Sequence, residues 1–214
     1  MINKKIIIAL VFIMVGGISL GFVILNNSGS TQVVIEPETS QVPAQFASAP
    51  DEGMKWYSIG EALELQKETK KKLFIDVYTN WCGPCKMLAN TTLADPVIQK
   101  GLTEYYIPVK FNAEGKDTVN FNGVQYVNKK PEYKNGPRGN THDFTFVIAQ
   151  TPQGIGYPTM VFLNENLEML QPFQGVLSAE QLEPIIAFFG SDAYKSKTWE
   201  EFMKTFQSQL TSSN

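Results

Sequence analysis

Apolar positions along the chain fall into three regimes. The first is an unbroken run of apolar or small residues from Ile6 to Leu25, preceded by Lys4 and Lys5. At 1.5 Å per residue this run spans ~30 Å, about one bilayer core. No Lys or Arg follows until Lys55, so the charge bias places the N-terminus in the cytoplasm and the rest of the chain outside it. Residues 1–25 read either as an uncleaved signal anchor or as a signal peptide cleaved at Ser19-Leu20-Gly21 or Ser28-Gly29-Ser30. No cysteine follows the run, which excludes a lipoprotein anchor. The second regime, residues 26–53, is rich in Ser, Pro, Gln, Glu and Ala without a helical or strand period. It reads as a flexible tether.

The third regime begins at Met54 and alternates helical and strand patterns. Ser58-Ile59-Gly60-Glu61 is a capping box that opens a helix to about Thr69. Leu73–Thr79 is a short apolar run that predicts a buried inner strand. A helix is expected over Gly83–Leu93 and a short one over Asp95–Gln99. Tyr105–Asn112 predicts a strand whose Pro108 belongs at an edge or bulge. Val119–Val127 reads as a hairpin turning at Asn122-Gly123. A polar loop with four basic residues, including Arg138, covers Asn128–Asn140, and Thr141 is expected to cap a helix to Ala149. Thr159–Leu163 and Met169–Phe173 predict two strands around a turn. Helices follow over Ser178–Phe189 and from Thr198, the last placing Trp199, Phe202, Met203, Phe206 and Leu210 on one face. Strand–helix–strand implies a parallel pair and the late strands an antiparallel one, so the class is α/β with a mixed central sheet and flanking helices.

The 214 residues hold one domain plus extras, and 43% apolar content suffices for a core. A net charge of -3 gives no sign of a nucleic-acid partner. The two cysteines, Cys82 and Cys85, stand three positions apart at the start of a helix that follows a buried strand. Too few and too close for a structural framework, they form a Cys-x-x-Cys redox motif. In a first helical turn, residues three apart stack, so the pair can bond without unfolding. Cys82 at the N-cap gains from the helix dipole, which favours its thiolate. Cys82 is therefore expected to attack a partner disulfide and Cys85, the more buried, to resolve it. Zinc would need four ligands and the chain has a single histidine, His142, read as a surface or cap residue. No metal or other cofactor is expected beyond the Cys82–Cys85 disulfide. Asp76 within an apolar strand is costly unless used. It reads as a base with a raised pKa near Cys85 or, structurally, as an ion-pair partner of Lys110.

Trp81-Cys82-Gly83-Pro84-Cys85-Lys86 resembles the thioredoxin active site letter for letter, and the likeness extends over about residues 54–189. Asp76 stands where thioredoxins keep a buried acid that relays a proton to the resolving cysteine, and Lys110 where they carry a lysine beside it. Tyr157-Pro158-Thr159 matches the cis-proline loop that pairs with substrate backbone, and Gly175-Val176-Leu177-Ser178 the glycine turn before the last helix. The membrane segment and Asp95-Pro96-Val97-Ile98 are similar to extracytoplasmic thioredoxin-like domains, among them the soluble domain of the periplasmic thiol–disulfide interchange reductase.

The resemblance implies a thioredoxin fold over 54–190, with an insert-containing region 113–156 before the cis-proline loop and a helical extension over 191–214. It implies catalysis by Cys82, Cys85, Asp76 and Lys110, and partner binding by Trp81, Gly83, Pro84, Tyr157, Pro158 and Thr159. The expected function is reduction of extracytoplasmic protein disulfides on the outer side of the inner membrane, with electrons from a membrane donor. A disulfide oxidase or isomerase, or a non-catalytic interaction module, are the alternatives. The insert leaves the C-terminal end of its strand, where α/β sheets carry their ligand crevice. Its hairpin at Asn122-Gly123 and its loop at Arg138 are expected to shape partner choice.

Overall fold

The run Lys72–Tyr78, buried over its first six residues, becomes the inner strand of the sheet. The computed structural model describes residues 53–129 and 140–210. The expected membrane segment 6–25, the tether up to residue 52 and Arg138 lie outside the described residues, whose helices include none long and apolar enough to cross a membrane. In chain order the elements are α1 (Ile59–Thr69), β1 (Lys72–Tyr78), α2 (Gly83–Asn90), a 3-10 turn (Thr92–Ala94), α3 (Pro96–Tyr105) and β2 (Tyr106–Asn112). Then come β3 (Val119–Phe121), β4 (Val124–Tyr126), α4 (Asp143–Ile148), β5 (Thr159–Leu163), β6 (Met169–Gln174), α5 (Ala179–Gly190) and α6 (Trp199–Met203).

The main sheet has the order β2-β1-β5-β6. β1 and β2 run parallel, while β5 is antiparallel to both β1 and β6. Pro108 lies on the edge strand, as expected, and its carbonyl accepts the Tyr57 N–H. The period of two along β1 sends Leu73, Ile75 and Val77 to the core shared with α1 and α4. Phe74 goes to the opposite core, built with Leu88 of α2, Ile98 and Leu102 of α3 and Leu182 of α5. Asp76 has the parity of Phe74, so it belongs to the face that α2 covers.

Local chemistry sets most boundaries. Ser58 and Glu61 form the expected capping box of α1, and Thr198 and Glu201 form that of α6. Asn122 and Gly123 both take positive φ, 50° and 79°, as the hairpin turn requires. Several expectations are corrected. α2 ends at Asn90 and gives way to the 3-10 turn. α3 continues to Tyr105, and Gly101 within it leaves room for α5: a Cβ there would lie 3.1 Å from Ile186 Cγ2. His142, not Thr141, caps α4: its Nδ1 accepts the Phe144 N–H at 3.0 Å and its Nε2–H donates to the Asp117 carbonyl at 2.7 Å. That residue is fully buried rather than on the surface. α6 stops at Met203, because the chain then turns to offer the Ser208 hydroxyl and the Gln209 N–H to Glu183 of α5. Its aromatics form a partly exposed patch on Phe188.

Candidate active site

β1 delivers the chain to a turn at Thr79–Trp81, and α2 starts immediately after it. Cys82 is the N-cap of α2, in an extended conformation, and Pro84 occupies the first turn, where its missing N–H costs nothing. Cys82 and Cys85 form a disulfide, with Cα atoms 5.3 Å apart. Cys82 Sγ accepts the Cys85 backbone N–H at 3.1 Å. An unpaired helix-terminal donor is thus already aimed at the sulfur on which a thiolate would form. The two cysteines are 2% and 4% exposed, so the expected contrast in burial is absent. What distinguishes them is the hydrogen bond to Cys82 and the cleft beside Cys85.

That cleft encloses about 260 Å³ and is lined by Tyr78, Thr79, Asn80, Cys85, Ala89 and Lys110. Lys110 Nζ bonds Asp76 Oδ2 at 2.9 Å and sits over the rings of Trp56 and Tyr78. Asp76 is 1% exposed, and its second oxygen, Oδ1, has no hydrogen-bond partner among the described residues. Burial raises its carboxyl above the usual range, and the Lys110 ammonium offsets only part of that. Asp76 therefore combines a raised affinity for a proton with a free acceptor position, one lysine away from the Cys85 cleft.

The other side of the disulfide is built by the insert. Trp81 is 40% exposed. Its Nε1–H donates to Glu114 Oε1 at 2.9 Å, and its ring meets Tyr157 edge-on at 6.1 Å. The Tyr157–Pro158 bond is cis. Pro158 is buried and its carbonyl accepts the Gly175 N–H. A groove of about 490 Å³ runs from Trp81 and Tyr157 to Phe146 and Gln150 of the insert.

The expected site residues fall into three groups. Cys82, Cys85, Trp81, Gly83, Pro84, Tyr157 and Pro158 gather at one end of the sheet, with Asp76 and Lys110 beneath them. Thr159 does not face a partner: it is fully buried, donates to the Gly156 carbonyl at 2.8 Å and is paired on both sides, to Val77 and Gln174. The hairpin tip is also misplaced by the sequence reading. Asn122 and Gly123 border α1 and Leu167, and Leu167 lies in the β5–β6 turn at the sheet end remote from Cys82. Glu114 was missed, although its position just past the end of β2 is where a residue facing the crevice belongs. Among the described residues no three His, Cys, Asp or Glu side chains gather as metal ligands would.

A cysteine pair at a helix N-terminus, behind an inner strand and beside a cis-proline loop, defines the fold and redox centre of the thiol–disulfide oxidoreductases. The chain belongs to the thioredoxin-like family, whose domain model matches residues 59–190. It is 28% identical to the thioredoxin-like protein YneN of Bacillus subtilis over 142 residues, 63% of this chain and 74% of that one. It is also 28% identical to the chloroplastic F-type thioredoxin of Pisum sativum over 79 residues, 33% of this chain and only 42% of the pea protein. Solved structures similar to the chain include a Thermus thermophilus thioredoxin (TM-score 0.46, 15% identity, 73% of this chain and 100% of that one). Another is the reduced C-terminal domain of Neisseria meningitidis DsbD (TM-score 0.40, 17% identity, 61% and 96%).

Proposed function

We propose that this chain reduces disulfides of extracytoplasmic proteins by dithiol–disulfide exchange through Cys82 and Cys85. The observation that carries the reading is the backbone N–H of Cys85 held 3.1 Å from Cys82 Sγ, at the N-terminus of α2. In the reduced form, the Cys82 thiolate attacks one sulfur of a partner disulfide, forming a mixed disulfide and releasing one partner thiolate. Cys85 then gives up its proton toward Asp76 across the Lys110 cleft and attacks Cys82 Sγ. The second partner thiolate leaves, the Cys82–Cys85 disulfide forms, and two electrons have passed to the partner. Trp81, Gly83, Pro84 and Tyr157 form the surface against which the partner chain lies.

The segment 6–25 tethers this domain to the outer side of the cytoplasmic membrane, or directs its export if cleaved. A membrane dithiol carrier returns the electrons. Reduction of insulin by the full chain, driven by dithiothreitol, tests the chemistry. Cys82→Ser should lower the rate about 10³-fold or more. Cys85→Ala should accumulate a covalent complex with insulin, and Cys82→Ala should not. Trapping by Cys82→Ala alone would exchange the two roles, and full activity in Cys82→Ser would remove the reading.

A further inference from the structure

The cis-proline edge is held by a loop, and the loop is held by a residue outside the groove. Thr151 and Gly154 close a small turn by reciprocal backbone hydrogen bonds, and Thr151 Oγ1 also reaches the Gly154 carbonyl at 2.8 Å. The chain then passes through Ile155 and Gly156 to Tyr157 and Pro158. Gln174, the last residue of β6, pairs with Thr159 in the sheet. Its side chain crosses over Gly156, where an added Cβ would lie 1.6 Å from Nε2 and 2.7 Å from Cδ. It ends with Oε1 at 2.9 Å from Thr151 Oγ1. The amide satisfies that hydroxyl in either orientation, since Oε1 can accept its proton or Nε2 can donate one. Gln174 thus spans the loop at Gly156, where no side chain stands in the way, while Ile155, Gly156 and Tyr157 line the groove beside Trp81.

We propose that Gln174 is a positioning residue: through Thr151 it fixes the Thr151–Tyr157 loop, and so the edge on which a partner polypeptide is aligned beside Cys82. This rests on the function proposed above and adds to it the device that sets affinity for polypeptide over small disulfides. A small disulfide needs only the sulfur of Cys82, whereas a polypeptide also needs the loop in place. A solvent-exposed hydrogen bond of this kind contributes little to global stability, so loss of the tie separates from loss of the fold.

The test compares insulin with cystamine, a small disulfide, as substrates of the full chain. In Gln174→Ala, KM for insulin should rise about three- to tenfold, with kcat, the cystamine rate and the thermal midpoint nearly unmoved. Thr151→Val should raise KM likewise, and the double variant should add little to either, because both cut one tie. An unmoved KM, parallel losses on both substrates, or fully additive effects would each overturn the assignment. If the unmodified chain reduced neither substrate, the proposed function would fall and this inference with it. Normal reduction by the unmodified chain with an unmoved KM in Gln174→Ala would overturn this inference alone.

Discussion

At the cysteine end of β1, Asp76 is 1% exposed and held by a single ammonium. At the other end, Lys72 bonds Asp192 at 3.0 Å and the Gly190 carbonyl, within a network that Lys195 extends to Glu165. The first arrangement leaves burial dominant, so the Asp76 carboxyl is pushed up. In the second, burial also pushes Asp192 up, but the bonds to Lys72 and Lys195 outweigh it and the carboxyl is held down. The Lys195 bond lowers Glu165 as well, and Lys195 itself is raised well above its ordinary value. One strand therefore carries two ion pairs of opposite character. A group held away from its preferred ionisation is available to move a proton, and a group held in it is a brace.

The largest expected break in that comparison is Asp76→Asn. It removes the proposed base but keeps the shape, so the step in which Cys85 resolves the mixed disulfide should slow about 10²-fold, measured by single-turnover quench. Its effect on stability should have the other sign. A carboxyl raised in the folded state binds its proton more tightly there than in the unfolded chain. Stability is then lost as pH rises from the ordinary carboxylate range through the raised value. Denaturant titrations over that range should show the decline in the unmodified chain and not in Asp76→Asn, which should be the more stable of the two at neutral pH. At the far end the lowered carboxylates act in reverse: they support the fold above the ordinary range and cease to as pH falls through their folded values.

Lys72→Met sharpens the contrast with a smaller effect. Lys72 is 8% exposed, so its loss should cost ~1–3 kcal/mol in urea unfolding and leave insulin reduction unchanged. Lys195→Ala should be smaller still, because the lysine itself is exposed and water screens its bonds to Glu165 and Asp192. An activity loss in either would mean that the far end is coupled to the site.

The sequence made the chemistry legible where local rules act alone. The Cys82–Cys85 spacing, the Asn122-Gly123 turn and the capping boxes need only their neighbours, and all appear as read. What escaped depended on contacts far along the chain. Gly101 lies past the short helix expected over Asp95–Gln99, and only the fold shows that its missing side chain makes room for Ile186 against α3. Phe206 and Leu210 continue a helical stripe on paper, but Glu183 draws the tail out of the helix first. Thr159 matches a partner-binding motif, yet pairing with both neighbouring strands buries it. Asp76 and Lys110 were found as a pair, whereas the free Oδ1 and the lysine-lined cleft required the fold.

The central claim is that Cys82 and Cys85 cycle between disulfide and dithiol as an electron donor to proteins. Equilibrating the full chain in thiol–disulfide buffers, with the thiols trapped and counted by mass, measures it directly. A reversible two-electron couple near the thioredoxin value of about -270 mV is expected. A value near about -120 mV, that of a strong oxidant, would make the chain a disulfide donor and contradict the reductase. A pair that never closes would contradict the redox site itself.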